Sequence, residues 1–178
     1  MKRGFEVVKR FSKSDIMLPT RATKKAAGYD FYAAEDFLVP SIWKLNFLKV
    51  IWNIKKLRTT EDIDYEQASK TIKPLLVPTG IKAYMQADEF LMLANRSSNP
   101  LKRNLLLPNG IGVVDADYYE NEANDGEIFF QLVNYGVRDV LIKKNERIGQ
   151  GIFLPFLIAD DEKKPLSNRT GGFGSSGK

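Results

Sequence analysis

Cysteine and histidine are both absent from this chain of 178 residues. Their absence excludes disulfides, thiol nucleophiles, the usual zinc centres and every catalytic triad that depends on histidine. Any acid–base chemistry must therefore use carboxylates, lysine or tyrosine, and any metal ion should be a hard cation bound through oxygen ligands.

Long apolar runs and a strong excess of one charge are also lacking. No apolar stretch approaches the roughly 20 residues of a membrane span, and the N-terminus lacks the apolar segment of a signal peptide. The net charge is +5, with basic residues interspersed among acids, which favours a solvated surface over a nucleic-acid patch. We expect a cytoplasmic protein with one hydrophobic core and neither a membrane nor a nucleic-acid partner.

Short segments rich in β-branched and aromatic residues recur along the chain, and turn residues separate them. Helical periodicity is almost absent outside residues 41–69. This pattern is typical of an all-β barrel or jelly roll. The predicted strands cover residues 4–11, 17–22, 29–33, 72–77, 81–84, 90–94, 105–107, 111–114, 128–133, 140–142 and 148–154.

Two regions differ from this pattern. Residues 41–69 are dense in bulky apolar side chains and predict a small inserted segment, either strands or helix, with a helix start at Thr60. Trp43 and Trp52 would form either a contact patch or additional core, and we favour the core. From residue 159 the chain turns polar and then Gly/Ser-rich, as in a flexible arm. We therefore predict a β domain over residues 1–158 and a C-terminal arm over residues 159–178.

Asp115 ends the predicted strand 111–114 and is followed at once by a turn and two tyrosines. A carboxylate held at the end of a buried strand is well placed to be a general base. The alternative is a hairpin in which Asp115 only caps the turn, and local spacing alone favours that alternative. Gly110 and Gly112 indicate a backbone that something approaches closely.

Three other stretches could bind an anion. Arg96, Ser97 and Ser98 place a guanidinium beside two hydroxyls, although such turns are common on surfaces. Gln150 stands between two glycines and by itself indicates only a structural hairpin.

The glycine-rich run at residues 171–177 offers unobstructed backbone N–H groups, yet it is slightly more typical of a disordered tail. Residues 172–178 match the phosphate-loop skeleton G-x-x-x-x-G-K. No Ser or Thr and no helix follow Lys178, so we do not expect such a loop.

Taken in order, five stretches resemble the five sequence motifs of the trimeric dUTPase family. One such motif is a weak signal, whereas five in the right order are highly specific. The segment at residues 76–81 also resembles the corresponding sequence of that family, so the resemblance covers the chain apart from residues 41–69. The five stretches are Ala27-Gly28-Tyr29-Asp30-Phe31-Tyr32-Ala33, Arg96-Ser97-Ser98, Gly112-Val113-Val114-Asp115-Ala116-Asp117-Tyr118, Glu146-Arg147-Ile148-Gly149-Gln150 and Gly171-Gly172-Phe173-Gly174-Ser175-Ser176-Gly177.

The resemblance implies a jelly-roll-like (β-clip) fold and a homotrimer whose active sites are built between subunits. The implied reaction is the Mg²⁺-dependent hydrolysis of dUTP to dUMP and pyrophosphate, which keeps uracil out of DNA and supplies dUMP for dTMP synthesis. The glycine-rich arm would close over the substrate.

The resemblance also implies roles for individual residues. Asp115 would activate the water that attacks the α-phosphorus, and Tyr118 would lie under the deoxyribose and leave no room for a 2′-hydroxyl. Asp30 would contact the waters around a Mg²⁺ ion bound chiefly by the triphosphate. The uracil would meet Asn109, Gly110, Val114 and Phe173, and the phosphates would meet Arg96, Ser97, Ser98, Gln150, Arg169, Gly174 and Ser175.

The chain departs from the usual pattern of the family at several positions. Asn95 and Pro100 flank the second motif unusually, Tyr119 replaces an Arg or Gln, and residues 120–125 lengthen the following connection. Arg169 is one residue nearer to the glycine run than is common. Two alternatives stay open: a dCTP deaminase, which shares the fold, and a dUTPase-like protein that binds a regulatory protein through residues 41–69.

Overall fold

The computed structural model describes residues 2–44 and 73–161, and both stretches consist mainly of β-strands. The expectation of an all-β protein is confirmed. Short helical turns lie at Lys9–Phe11, Asn99–Arg103 and Ala116–Tyr118. The strands are β1 Gly4–Val7, β2 Thr20–Arg21, β3 Tyr29–Tyr32, β4 Phe37–Val39, β5 Leu75–Pro78, β6 Ile81–Tyr84, β7 Glu89–Asn95, β8 Leu105–Leu106, β9 Ile111–Asp115, β10 Phe129–Asn134, β11 Val140–Ile142 and β12 Arg147–Pro155.

Two sheets form most of the architecture. The larger sheet has the strand order β2-β3-β12-β7-β9, and all of its pairs are antiparallel. The smaller sheet has the order β5-β10-β8, and two further pairs join β1 to β6 and β4 to β11. Many neighbouring strands are distant in sequence, so long connections cross between the sheets, as in jelly-roll folds.

The hydrophobic core lies between the two sheets. In β7 and β10 every second side chain is buried, because successive residues of a strand point to opposite faces. Phe31 of β3 meets Phe130 of β10 with ring centroids 5.6 Å apart. Leu91 and Leu132 are also buried in this core.

Two local predictions from the sequence are corrected by the structure. The first predicted strand, 4–11, ends at Val7, because the Val8 N–H bonds to the Gly80 carbonyl and the chain then turns at Lys9–Phe11. Strand β4, Phe37–Val39, was not predicted.

The beginning of the 41–69 segment lies against the β domain. The Ile42 N–H bonds to the Asn134 carbonyl, and Trp43 donates its indole N–H to the Tyr135 carbonyl at 2.8 Å. Trp43 is 39% exposed, so it is a partly covered surface side chain and not the core residue we favoured. Trp52 and the helix expected at Thr60 lie outside the described residues. The division at residue 159 stays a prediction. Within residues 2–44 and 73–161, no helix is long and apolar enough to cross a membrane.

Candidate active site

Three side chains predicted to bind phosphate or metal meet at the middle of the larger sheet. Asp30 of β3 pairs directly with Gln150 of β12, and Gln150 pairs with Ala94 of β7, next to the strand end that leads to Arg96. The Asp30 carboxylate is nearly buried and lies 3.9 Å from the Arg96 Nε. The sheet register therefore brings motifs that are distant in sequence into one cluster.

Arg147 belongs to this cluster although it was not among the predicted site residues. Its Nη1 donates to the Asp30 Oδ2 at 3.2 Å, and its carbonyl accepts a hydrogen bond from the Arg96 Nη1, also at 3.2 Å. Two guanidinium groups thus face one carboxylate. The signal that could have identified Arg147 is its position on the same strand as Gln150, beside the register shift in the pairing of β12 with β3.

Gly28 leaves room for the Gln150 side chain. A Cβ at position 28 would lie only 2.7 Å from the Gln150 Oε1, which is too close for ordinary contact. The glycine of the first motif is therefore needed so that Gln150 can lie across the neighbouring strand beside Asp30.

Asn95 and Asn99 hold the turn that carries Arg96, Ser97 and Ser98. The Asn95 Oδ1 accepts from the Arg96 N–H at 2.9 Å and from the Asn99 Nδ2 at 2.7 Å. Asn99 is fully buried and also donates to the Ile148 carbonyl of β12 at 2.9 Å. The unusual Asn95 is thus explained, because its amide accepts from the Arg96 N–H and donates to the Leu105 carbonyl of β8.

A second group of predicted residues surrounds a cavity of about 210 Å³ beside β9. Asn109, Val114 and Tyr118 line it together with apolar side chains and the exposed edge of Gly112. Gly110 has φ +70° with nothing within 4 Å of a Cβ, so it supplies the turn before β9 and its backbone is not covered by other protein atoms. At Gly112 the close neighbour is Leu93 of the adjacent strand, so the close approach expected here comes from the protein itself.

Asp115 is the last residue of β9 and directly precedes the turn Ala116–Tyr118. It occupies the N-cap position of that turn but makes no capping hydrogen bond with its side chain, which removes the simple turn-cap interpretation. The expectation of a buried strand was wrong: β9 is the edge strand of the sheet, with Ile111 and Val113 about half exposed. In the chain, Asp115 lies between Val114 and Tyr118, which both line the cavity.

Asp115 and Arg96 lie at opposite ends of strand β7. Asp115 pairs with Phe90 at the start of β7, whereas Arg96 follows Asn95 at its end. A strand of this length spans about 20 Å, because each residue advances the chain by roughly 3.3 Å. Within one chain, the structure therefore separates the candidate base from the candidate phosphate ligands. Arg169, Phe173, Gly174 and Ser175 lie outside the described residues.

The lengthened connection after Tyr118 is built around a buried lysine. The Lys82 Nζ lies 2.7 Å from the Glu120 carboxylate and 3.3 Å from that of Asp125. Tyr119 also departs from the family pattern. Its hydroxyl donates to the Glu6 carboxylate at 2.7 Å, and the centre of its ring lies 5.0 Å from the Lys82 ammonium. The hydrogen bond to Glu6, assisted by burial, raises the pKa of Tyr119 to about 12.

The donor set limits what metal the site could hold. Among the described residues, no three Asp or Glu side chains come together as a metal cage. Asp30, Arg96, Arg147 and Gln150 form what we call the arginine cluster. Asp30 is its one carboxylate, and the carboxylate oxygens already face Arg96 and Arg147. Such a site fits Mg²⁺ only as an ion carried in by a polyphosphate, because Mg²⁺ retains several waters and needs few protein ligands.

The fold and the site together define a class: an all-β protein with a basic cluster suited to a polyphosphate and a separate small cavity lined by polar and apolar residues. A family model described as dUTPase matches residues 62–177. The deoxyuridine 5'-triphosphate nucleotidohydrolase of Lactococcus lactis subsp. lactis is 44% identical over 176 residues, which cover 98% of this chain and 97% of that protein. The chain belongs to the dUTPase family, and the family and enzyme class expected from its sequence are confirmed.

Solved structures agree with this assignment. The crystal structure of dUTPase from Streptococcus mutans is 38% identical, with a TM-score of 0.68 over 88% of this chain and 98% of that one. The dUTPase from phage phi11 of S. aureus, at 12% identity, has a TM-score of 0.61 over 94% of this chain and 97% of that one, and supports the fold alone. Strand β3, with Asp30, precedes the residues that the family model matches, yet it pairs directly with β12.

Proposed function

We propose that the protein hydrolyses dUTP to dUMP and pyrophosphate, with Asp115 as the general base. The observation that carries this proposal is the placement of Asp115 between two residues that line the cavity, Val114 and Tyr118. The carboxylate takes a proton from water, the water oxygen bonds to the α-phosphorus, and the bond from that phosphorus to the bridging oxygen breaks. Pyrophosphate is the leaving group.

The cavity would bind the nucleoside. Asn109 offers an amide that can both donate to and accept from a uracil edge, while backbone groups of Gly110 and Val114 complete the contact. Tyr118, with a side chain that is almost fully buried, would lie under the deoxyribose. Phe173 of the C-terminal arm would cover the uracil ring.

The arginine cluster would bind the triphosphate. Arg96, Ser97, Ser98 and Gln150 would hold the phosphates, and we add Arg147, whose guanidinium already faces the same space. Arg169, Gly174 and Ser175 of the arm would complete the phosphate contacts. Mg²⁺, bound by the triphosphate with Asp30 reached through water, would neutralise charge that develops on the phosphates.

Because the base and the phosphate ligands lie at opposite ends of β7, we propose that each active site combines residues of different subunits in a homotrimer. Both groups must come within hydrogen-bond reach of one triphosphate, which a separation of about 20 Å within a chain forbids. The exposed Ile111 and Val113 of the edge strand β9 favour the same conclusion, since such apolar edges are usually covered by another chain.

Pyrophosphate release from dUTP, dCTP and UTP tests this function. We expect rapid release from dUTP alone, with a loss of activity on the order of 10²–10⁴ in Asp115→Asn. Asp117→Asn, an exposed carboxylate of the same turn, is the matched control and should keep nearly full activity. EDTA should abolish the activity and excess MgCl2 should restore it.

Equal turnover of dUTP and UTP, or an active Asp115→Asn, would refute the proposal. Ammonia release from dCTP would instead support the deaminase alternative, for which no described residue provides a specific argument. A regulatory partner that binds through residues 41–69 stays a prediction, because most of that segment lies outside the described residues.

A further inference from the structure

The hydroxyl of Tyr118 is held by two hydrogen bonds on the side away from the cavity. It donates to the Glu127 carbonyl at 2.9 Å and accepts from the Asn124 Nδ2 at 2.8 Å. The ring is 7% exposed and its inner face lines the cavity. Tyr118 is therefore fixed at the tip of its side chain as well as at its backbone.

Asn124 is itself held rigidly. Its Oδ1 accepts from the Asn121 Nδ2 at 2.8 Å and from the Gly126 N–H at 3.2 Å. Asn121 donates through the same nitrogen to the Tyr118 carbonyl at 2.9 Å. Two asparagines of one loop thus hydrogen-bond to Tyr118: Asn121 to its backbone carbonyl and Asn124 to its hydroxyl.

The loop that carries these asparagines is anchored on both flanks. Lys82 binds Glu120 near its start and Asp125 near its end. The Lys9 N–H adds a hydrogen bond to the Asp125 carboxylate at 2.8 Å. Asn124 does not line the cavity beside β9 but lines a separate depression with Lys9 and Arg10, so a direct contact with substrate is not its role.

We propose that Asn124 is a positioning residue that fixes the Tyr118 ring and thereby sets the discrimination between deoxyribose and ribose. This inference rests on the proposed function, in which the ring lies under the sugar. A 2′-hydroxyl can fit only if the ring moves, and a ring bound at both ends resists that movement. Without the Asn124 amide the hydroxyl keeps one hydrogen bond, and the ring can tilt at lower cost.

The test is the ratio of kcat/KM for dUTP to kcat/KM for UTP in the wild type, Asn124→Ala, Asn124→Asp, Tyr118→Phe and the double variants. We expect both Asn124 variants to lower this ratio about tenfold, the effect of roughly one hydrogen bond, mainly by raising kcat/KM for UTP. The kcat for dUTP should stay within about threefold of the wild type, because Asn124 contacts no reacting group.

Asn124→Asp keeps the Oδ1 that accepts from Asn121 and Gly126, but replaces the donor to the Tyr118 hydroxyl and the Glu127 carbonyl by a second acceptor, so the one hydroxyl proton cannot serve both neighbours. In a Tyr118→Phe background, changes at Asn124 should alter the ratio less than about twofold, since the atom through which they act is gone. Glu122→Ala, an exposed position of the same loop, is the control and should behave as the wild type.

The inference is overturned if both Asn124 variants, with unchanged melting temperatures, keep the wild-type ratio. It is also overturned if they change the ratio equally in the tyrosine and phenylalanine backgrounds, because the effect would then bypass the hydroxyl. Failure of the wild type to hydrolyse dUTP would refute the proposed function instead, so the two failures are distinguishable.

Discussion

Lys82 is a charged residue whose side chain is almost entirely buried, at 4% exposure. Burial alone would lower its pKa, but hydrogen bonds to Glu120 and Asp125 outweigh that effect and raise the pKa above its usual value. The pKa of Asp125 is lowered despite burial, because the Lys9 backbone and the lysines beside it favour the carboxylate. The charges stabilise one another only as a complete set.

Replacement of Lys82 by methionine should therefore destabilise the protein. Methionine fills a similar volume but leaves Asp125 largely buried and without one of the two lysine ammonium groups that lie 3.3 Å from it, so we expect a loss of about 2 kcal/mol in the free energy of unfolding. Lys143→Met is the control: Lys143 also pairs with a carboxylate, Asp36, but both side chains are more than half exposed. Urea unfolding should show a much smaller effect there, and equal effects would contradict the assigned role of Lys82.

Lys82 also illustrates which important residues can be identified from a sequence and which cannot. Asp30, Asp115 and Tyr118 could be singled out because each lies in a motif of the family. Lys82 and Asn124 could not, because their partners are set by tertiary pairing. Tyr119 is an unexplained departure in the sequence, and only the structure shows that it joins Glu6 of β1 to Lys82 of β6.

At the scale of the elements, one ion pair fixes the start of β7 against the N-terminal strand. Glu89 accepts from the Arg3 Nε at 2.9 Å and pairs with the other side of that guanidinium. It also accepts from the Gln86 N–H at 3.3 Å, in the turn before the strand. The hydrogen bond from Arg3, aided by Gln86, lowers the pKa of Glu89 to about 2.

This lowered pKa predicts a dependence of stability on pH. The carboxylate is favoured in the folded state, so its stabilisation is complete above pH 4.5 and is lost as the pH falls toward about 2. We expect the melting temperature of Glu89→Gln to be lower than that of the wild type at neutral pH. The two melting temperatures should converge between those pH values.

Glu35→Gln, an exposed carboxylate outside this contact, is the control and should follow the wild type at every pH. The lowered pKa values of Asp36 and Asp139 affect the wild type and Glu89→Gln alike, so they cancel in the difference. Parallel melting curves for the wild type and Glu89→Gln down to pH 2 would exclude Glu89 as the acid-sensitive contact.

Most strands could be predicted because short runs of β-branched and aromatic residues are separated by turn residues. The predicted strands at 81–84 and 140–142 coincide with β6 and β11, and the other predicted strands overlap observed ones, often with shifted ends. A turn at residues 98–100 could be predicted, but the helical form of Asn99–Arg103 could not, because the Asn95–Asn99 amide contact that stabilises it is a side-chain interaction. Hydrophobic patterns report which face is buried, and they carry no information on such polar contacts.

At the scale of the whole molecule, Asp115 and the predicted phosphate-binding residues are separated within the single chain. Sheet register places Asp30 beside Gln150. The same register carries Asp115 to the far end of β7. Motif order could identify the family, and the resemblance implies sites shared between subunits, but the separation within one chain follows from strand pairing.

The separation predicts that two inactive variants restore each other. Asp115→Asn lacks the base and Arg96→Ala lacks a phosphate ligand, so each alone should be nearly inactive. In any mixed trimer, whether two-to-one or one-to-two, one of the three interfaces joins an intact Asp115 to an intact Arg96. Trimers purified through two different affinity tags should therefore show about one third of the wild-type activity, as cyclic symmetry requires.

Trimers that mix Asp115→Asn with Asp115→Ala are the control and should stay inactive. Sites confined to one chain would leave both mixtures inactive, and that outcome would refute shared active sites.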